Sequence, residues 1–469
     1  MSVKREFLAT DARAMPASAA PLPGGARTQG KSRPRRRLIA CLLAFGGVAT
    51  GAWADDLAFP GALGWAAHTP GGRGGKLLKV TTLASSGPGS LVDALAQPGP
   101  RIIVFEVGGV IDLGQQTVRI TEPFLSIAGQ TAPYPGITLI RGGIDIATHD
   151  VVVRHIRVRP GEAGAGKRSG MDFDAISTVA AHDVIVDHCS LTWATDENLS
   201  ASGPRFVEGG KTIEDFRQAT SQRITFSHNL IAEGLAHATH AKGEHSKGSL
   251  IHDHVGQILI IGNLYAHNYE RSPMFKGDVR GQIINNLIYN PGQRAVHYNL
   301  IPEEWVGHDY LPAQMTLVGN VLRAGPSTPA DVPLLMIGGS ADLALYAHDN
   351  LAVDRIGRPL PATGRYTTAA AQIVDMPAPV LAFGVSVLPS VEVQDWVVAN
   401  AGARPWDRDD VDRRIVADVI EGRGAIIDSE AEVGGYPVYA ETRQAFVEAD
   451  WDLATMEPRK ELSRRPPPK

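Results

Sequence analysis

The chain has 469 residues, with 50 Gly, 32 Pro and only 6% aromatics, a composition that favours a turn-rich β protein over a helical bundle. Its formal charge of −5 is unevenly spread: residues 1–54 hold nine basic and two acidic residues, leaving 36 basic against 48 acidic, a net of −12, for the other 415. So acidic a body argues against nucleic acid as partner, because phosphate binding needs a basic face.

The N-terminus reads as a leader. Arg33, Arg35, Arg36 and Arg37 form a basic region, residues 38–50 are apolar and small, and Ala52-Trp53-Ala54 is an A-x-A cleavage signal. Residues 1–54 are therefore expected to be removed, and the mature protein to be secreted to the extracellular space or held in the periplasm. The apolar run is too short for a membrane span. Cleavage takes Cys41 with it, so Cys189 remains as a lone thiol without a disulfide, and its apolar strand context marks it as a small buried hydrophobe.

Ser90 and Asp93 have the spacing of an N-cap and its third helical residue, predicting a short helix over 91–96 that caps the open end of a repeating core. The repeats occupy the middle of the chain: HDVVVRHIRV (149–158), HDVIVDHCSLTW (182–193), QRITFSHNLI (222–231), QILIIGNLYAH (257–267), QIINNLIYN (282–290) and QMTLVGNVL (314–322). Each unit is a β-branched strand, a polar hinge and a second apolar strand. The hinge residues Asn229, Asn263, Asn286, Asn320 and Asn350 are 34, 23, 34 and 30 residues apart. Such spacing suits stacked coils with variable loops, each coil burying its apolar face against the next. It does not suit a propeller, whose period is nearly constant. A stacked Asn is expected to take the left-handed bend of each hinge and to hydrogen-bond to the next rung. The fold class expected is all-β: a single right-handed parallel β-helix over 55–355, with an N-terminal capping helix and an irregular C-terminal extension over 356–469 packed on it. Within the extension, residues 410–423 read as an amphipathic helix whose apolar face is Val411, Ile415, Val416, Val419 and Ile420. The tail RRPPPK (464–469) is expected to be disordered. A solenoid closes its own core, so a monomer is expected.

Several stretches resemble pectate lyases of the parallel β-helix class: AFPG (58–61), GGRGG (71–75), SGPGSL (86–91), IAGQTAP (127–133), VDHCSLTWATDENL (186–199), NLYAHNYERSP (263–273) and NNLIY (285–289). The resemblance implies a polysaccharide lyase that cuts pectate by β-elimination to unsaturated oligogalacturonides, with Ca2+ as cofactor. The chemistry is coherent. The C5 proton of a uronate is weakly acidic beside its carboxylate, and a divalent cation on that carboxylate makes the proton removable. Hard oxygen donors suit calcium. Asp172 and Asp174 stand two apart, one face of a strand, and the resemblance makes them the first metal ligands. Asp196 is the expected third, with Glu197 as its rival. Where the family usually offers another carboxylate, this chain has Ser200. Arg271-Ser-Pro-Met-Phe-Lys276 matches the family's R-x-P-x-x-R pattern with Lys last; the resemblance makes Arg271 the base, and Lys247 a contact to the carboxylate of the attacked sugar. Lys276 and Arg280 are the expected substrate-binding cations, a local basic strip that would let an acidic body hold an acidic polysaccharide.

Asp187 and His188 read as a brace for the coil. His237, His240, His245, His252 and His254 are too irregularly spaced for a transition-metal motif and read as loop histidines near the cleft, one of them a candidate acid toward the leaving oxygen. Trp193, Tyr265 and Tyr269 suit either sugar stacking or the core. A lyase on another uronic-acid polymer, and a non-catalytic β-helix that binds carbohydrate, stand as alternatives. A pectin hydrolase does not, because it needs three clustered aspartates and a Gly-His-Gly turn that are absent.

Overall fold

The computed structural model describes residues 56–459, so the leader and the tail at 464–469 lie outside the described residues. Short strands wind into three long sheets of eleven, nine and ten strands, a parallel β-helix whose pairings are all parallel except that of Thr442–Arg443 at the edge of the ten-stranded sheet. One coil shows the plan. His182–Asp187 joins the eleven-stranded sheet, Ser190–Thr192 the ten-stranded sheet and Leu199–Ser202 the nine-stranded sheet. Alternate residues point inward, and Val184, Val186, Leu191, Leu199 and Ala201 are buried in one continuous core. Each sequence repeat supplies the first two of these strands. The third comes after a loop of variable length, which is why the period drifts.

The hinge asparagines form a ladder. Asn229, Asn263, Asn286 and Asn320 each donate a side-chain amide to the next Asn carbonyl oxygen, at 3.0, 2.9, 3.0 and 3.1 Å, ending on Asn350. The same oxygens accept the backbone N–H of the preceding rung at 2.8–3.0 Å. Cys189 starts the ladder by donating its backbone N–H to Asn229 at 2.8 Å, and burial pushes its thiol up to about 12. The left-handed residue, however, is the one before Cys189 and before each Asn: His188, His228, Gly262, Asn285, Gly319 and Asp349 have φ between 47 and 69°. The bend turns the chain, and the Asn after it is left free to span the rungs.

Beside the ladder, Asp187 accepts from His188 Nδ1 (2.7 Å), Ser227 Oγ (2.7 Å), His228 Nδ1 (3.1 Å) and Arg154 Nε (3.2 Å). Burial raises its carboxyl, but these partners outweigh burial and hold it well below the usual range. His155, His188 and His228 stack at 5.1 and 4.6 Å. This is a brace across coils.

The helix Leu91–Leu95 covers the open first coil with Leu91, Ala94 and Leu95, its start fixed by Ser90 Oγ accepting from the Asp93 N–H at 3.1 Å. At the far end the coil continues past residue 355, because Thr363–Arg365 and Ile373–Asp375 extend the nine- and eleven-stranded sheets. Helices Ser390–Asn400 and Asp410–Glu421 then cover the ten-stranded sheet, burying Val393, Val397, Val411, Ile415, Val416 and Val419 against Leu230, Leu264 and Leu287. Ile420 does not share that face and is 58% exposed. Asp409 and Asp412 reach from this helix into the wall of the coil, where the buried Arg159 guanidinium donates to both at 2.7–3.1 Å.

Candidate active site

Five consecutive strands of the nine-stranded sheet are each entered through charged residues. Asp172 and Asp174 precede Ile176–Val179; Asp196 and Glu197 precede Leu199–Ser202; Lys247 precedes Leu250–Ile251; Glu270 and Arg271 precede Met274–Lys276; Arg294 precedes Val296–Leu300. Backbone hydrogen bonds of 3.1–3.2 Å tie these entries rung to rung, from Ala175 N–H to Glu197, Asn198 N–H to Lys247, Gly248 N–H to Glu270 and Ser272 N–H to Ala295. Successive strands lie about 4.8 Å apart. The row therefore runs from carboxylates at one end to cations at the other over a short length of coil.

At the acidic end, Asp174, Asp196 and Glu197 bring carboxylate oxygens within 4.8 Å of one another. Asp172 and Asp174 are not on a strand, as their spacing predicted, but in the irregular segment before one. That lets Asp174 turn inward, where it accepts from the Glu197 N–H at 2.9 Å and from Ser200 Oγ at 2.7 Å. Ser200 thus replaces a negative charge with a donor to Asp174. Burial, and then the charges of Glu197 and Asp196, push the Asp174 carboxyl well above its ordinary value. Glu197 is also raised, because burial and Asp196 push harder than Arg271 and His245 pull. Asp172 Oδ1 is buried without a hydrogen-bond partner. Crowded, mutually repelling, oxygen-only donors fit a hard divalent cation. Asp174, Asp196 and Glu197 could hold such a cation, and Asp172 is not one of that cluster.

At the cationic end, Arg271 pairs with Glu197 and lies 3.9 Å from Glu270. Its backbone has φ 62°, in the left-handed region a side chain rarely adopts, as happens where the surroundings dictate a conformation. Burial opposes its charge, but Glu197, Glu270 and Asp196 more than offset that and raise its pKa. Lys247 is buried, paired with Glu270 and lowered by burial. Glu270 also holds Arg294. Burial works against the Glu270 charge, yet His297, Lys247 and Arg294 keep its carboxyl below the usual range.

The remaining expected residues lie elsewhere. Lys276 is at the opposite end of its strand, paired with Glu304 and 3.6 Å from Asp253. Arg280 opens a strand of the eleven-stranded sheet and pairs with Asp278 at 3.4 Å. Among the described residues neither shares a carboxylate partner with Lys247 or Arg271. The i+5 spacing after Arg271 spans a whole strand, which carries the last residue of the motif away from the first. Of the histidines, His240 and His245 gather at the site, stacked at 3.7 Å, with His245 Nε2 donating to Asp196 at 2.7 Å. Burial takes His245 down to about 3. His237 is exposed on Asp428, and His254 pairs with Asp278. Trp193 and Tyr265 are core residues. Glu270 and Arg294 were not foreseen; the signal was a charged residue two to four positions before each of five neighbouring strands of one sheet.

Together these features define a class: a parallel β-helix that carries a carboxylate site for a cation next to buried Arg and Lys on one sheet. Sequence comparison narrows it. Proteins described as probable pectate lyase C from Aspergillus flavus and Neosartorya fischeri are each 32% identical to this chain, over 398 and 391 residues, covering 81% of both chains in each case. Another from Aspergillus terreus is 36% identical over 274 residues, 58% of this chain and 55% of its own. The chain belongs to the pectate lyase family and is a polysaccharide lyase. No family model matches it. Among solved structures, the cedar pollen allergen jun a 1 aligns with TM-score 0.49 at 15% identity, over 73% of this chain and 92% of that one, a likeness too slight to weigh beside the sheets themselves.

Proposed function

We propose that this protein cleaves pectate by calcium-assisted β-elimination, leaving an unsaturated uronide at the new non-reducing end, and that it acts outside the cytoplasm after removal of residues 1–54. The observation that carries the reading is the contact between the two halves of the site: Glu197 belongs to the carboxylate cluster and is also the partner of Arg271. Calcium, when bound, would neutralise the uronate carboxylate and so acidify the C5 proton. Arg271 is the base. It is held protonated by Glu197, Glu270 and Asp196, so it can accept a proton only when those charges are compensated and its guanidinium is shielded from water. Lys247, buried and lowered in pKa, contacts the carboxylate of the attacked sugar as a point charge. Cleavage needs no water in the step; the C5–H and C4–O bonds break, the C4–C5 double bond forms, and the leaving oxygen takes a proton. His245, neutral and 2.7 Å from Asp196, orients that carboxylate.

The test is the ultraviolet absorbance of unsaturated uronides as mature protein is incubated with polygalacturonate, in calcium or in chelator. A calcium-dependent rise is expected. No rise on polygalacturonate or on other uronic polymers would leave a β-helix that binds carbohydrate without cutting it.

A further inference from the structure

The motif leaves the site one cation short, because Lys276 stands at the far end of its strand and Arg280 on the eleven-stranded sheet. The coil supplies another. Arg294 enters the strand next to that of Arg271, with Ser272 N–H bonded to Ala295 O at 3.1 Å and Arg294 N–H to Tyr269 O at 3.4 Å. Glu270 sits between three cations: one oxygen takes Lys247 and lies 3.9 Å from Arg271, and the other takes Arg294. The Arg294 guanidinium lies over the Tyr366 ring, 4.6 Å from its centroid. Its side chain is 17% exposed. Its Nε is buried without a hydrogen-bond partner, as is the Nε of Arg271.

A guanidinium has five donors in a rigid fork, and an unsatisfied buried N–H is costly. Two such groups flank one carboxylate that cannot satisfy both; both side chains reach solvent, and that of Arg294 does so over an aromatic platform. Resting on the function proposed for the site, we infer that Arg294 is a substrate-binding residue, which receives a carboxylate of the acidic polysaccharide in a bidentate fork one coil beyond the sugar attacked at Arg271. Glu270 is its positioning residue, holding Arg294 and Lys247 on opposite oxygens so that both face the chain.

The test compares wild type with Arg294→Gln across polygalacturonates of increasing methyl esterification, at saturating calcium. On the fully de-esterified polymer the variant raises KM by roughly 10- to 100-fold, the worth of a charged hydrogen-bonded pair, with kcat changed far less. As esterification removes carboxylates, wild type and variant converge, which a residue that merely braced the fold would not produce. An unchanged KM, or a penalty equal at every degree of esterification, overturns the assignment. Arg294→Lys covers the case in which the Gln variant does not fold: it keeps a charge on Glu270 and loses the fork, so its KM falls between the two, and a wild-type KM overturns the assignment. If wild type makes no unsaturated product at all, the lyase function proposed for the site fails, and calorimetric affinity of the wild-type and variant proteins for oligogalacturonate still decides whether Arg294 binds it; equal affinities overturn it.

Discussion

At the scale of single residues, Asp174 and Arg271 divide the labour and should fail differently. Asp174 has a folded pKa above its unfolded value, which lies near 3.9. The folded chain therefore holds that proton more tightly than the unfolded chain does. Its contribution is most favourable at low pH and declines as pH rises through the unfolded value. Without metal, ionising Asp174 carries a cost in the folded chain that a bound cation relieves. Asp174→Asn should melt in chelator at or above the wild-type temperature, yet gain much less from calcium. A ligand at a hundred times its Kd adds about 2.7 kcal/mol, a rise that thermal denaturation resolves. A variant that loses stability in chelator and keeps the whole calcium rise would remove Asp174 from the metal site. Arg271→Ala, in contrast, should keep its circular dichroism spectrum while kcat falls by about 10²–10⁴, the usual worth of a general base. Undiminished turnover in that variant would return Arg271 to a structural pairing with Glu197.

At the scale of elements, the Asn ladder is the clearest case of one residue serving two coils. Asn286 accepts from the Asn263 N–H and side-chain amide, and donates to Asn320 Oδ1 and Ile260 O, all at 2.9–3.0 Å and fully buried. Asn286→Ala would strand the donors of Asn263 in the core, each costing about 1–3 kcal/mol. Asn350 ends the ladder and is half-buried, and Asn350→Ala should cost distinctly less in a urea titration. Equal costs would mean that the rungs do not transmit the loss. The ladder was legible because the Asn recurs at the same place in each repeat, and so were the strands of the eleven- and ten-stranded sheets, which carry unbroken β-branched runs. The nine-stranded sheet was not. Its strands are as short as Leu250–Ile251 and come after loops of variable length, so no period marks them. The candidate site is built on that sheet, so its residues were legible only where a motif carried them. Asp174, Glu197 and Arg271 stand inside compact motifs, and the structure brings them together. Glu270 was hidden beside Arg271, Arg294 stood in no motif, and Lys276 lies apart from Arg271 because spacing along a motif does not say how far a strand will carry its last residue.

At the scale of the whole molecule, an acidic body must attract an acidic polymer. The chain beyond residue 54 has 48 acidic against 36 basic residues, a net of −12, while the cations of the site are buried and paired within a few ångströms of it. The two act over different ranges. Repulsion from the whole body is long-range and falls with the Debye length, from about 30 Å at 0.01 M salt to about 10 Å at 0.1 M. Contacts to Arg271 and Lys247 are short-range and partly desolvated, so salt of that strength weakens them less. With calcium held saturating, kcat/KM on polygalacturonate should therefore rise as sodium chloride goes from about 0.01 to 0.1 M, and fall only at higher salt, when the local pairs are screened in turn. Steered association with a basic cleft gives the opposite, a decline from the lowest salt upward. Initial rates at low substrate across that salt series distinguish the two, and a monotonic decline would mean that the cation strip, with its bound calcium, outweighs the rest of the surface even at a distance.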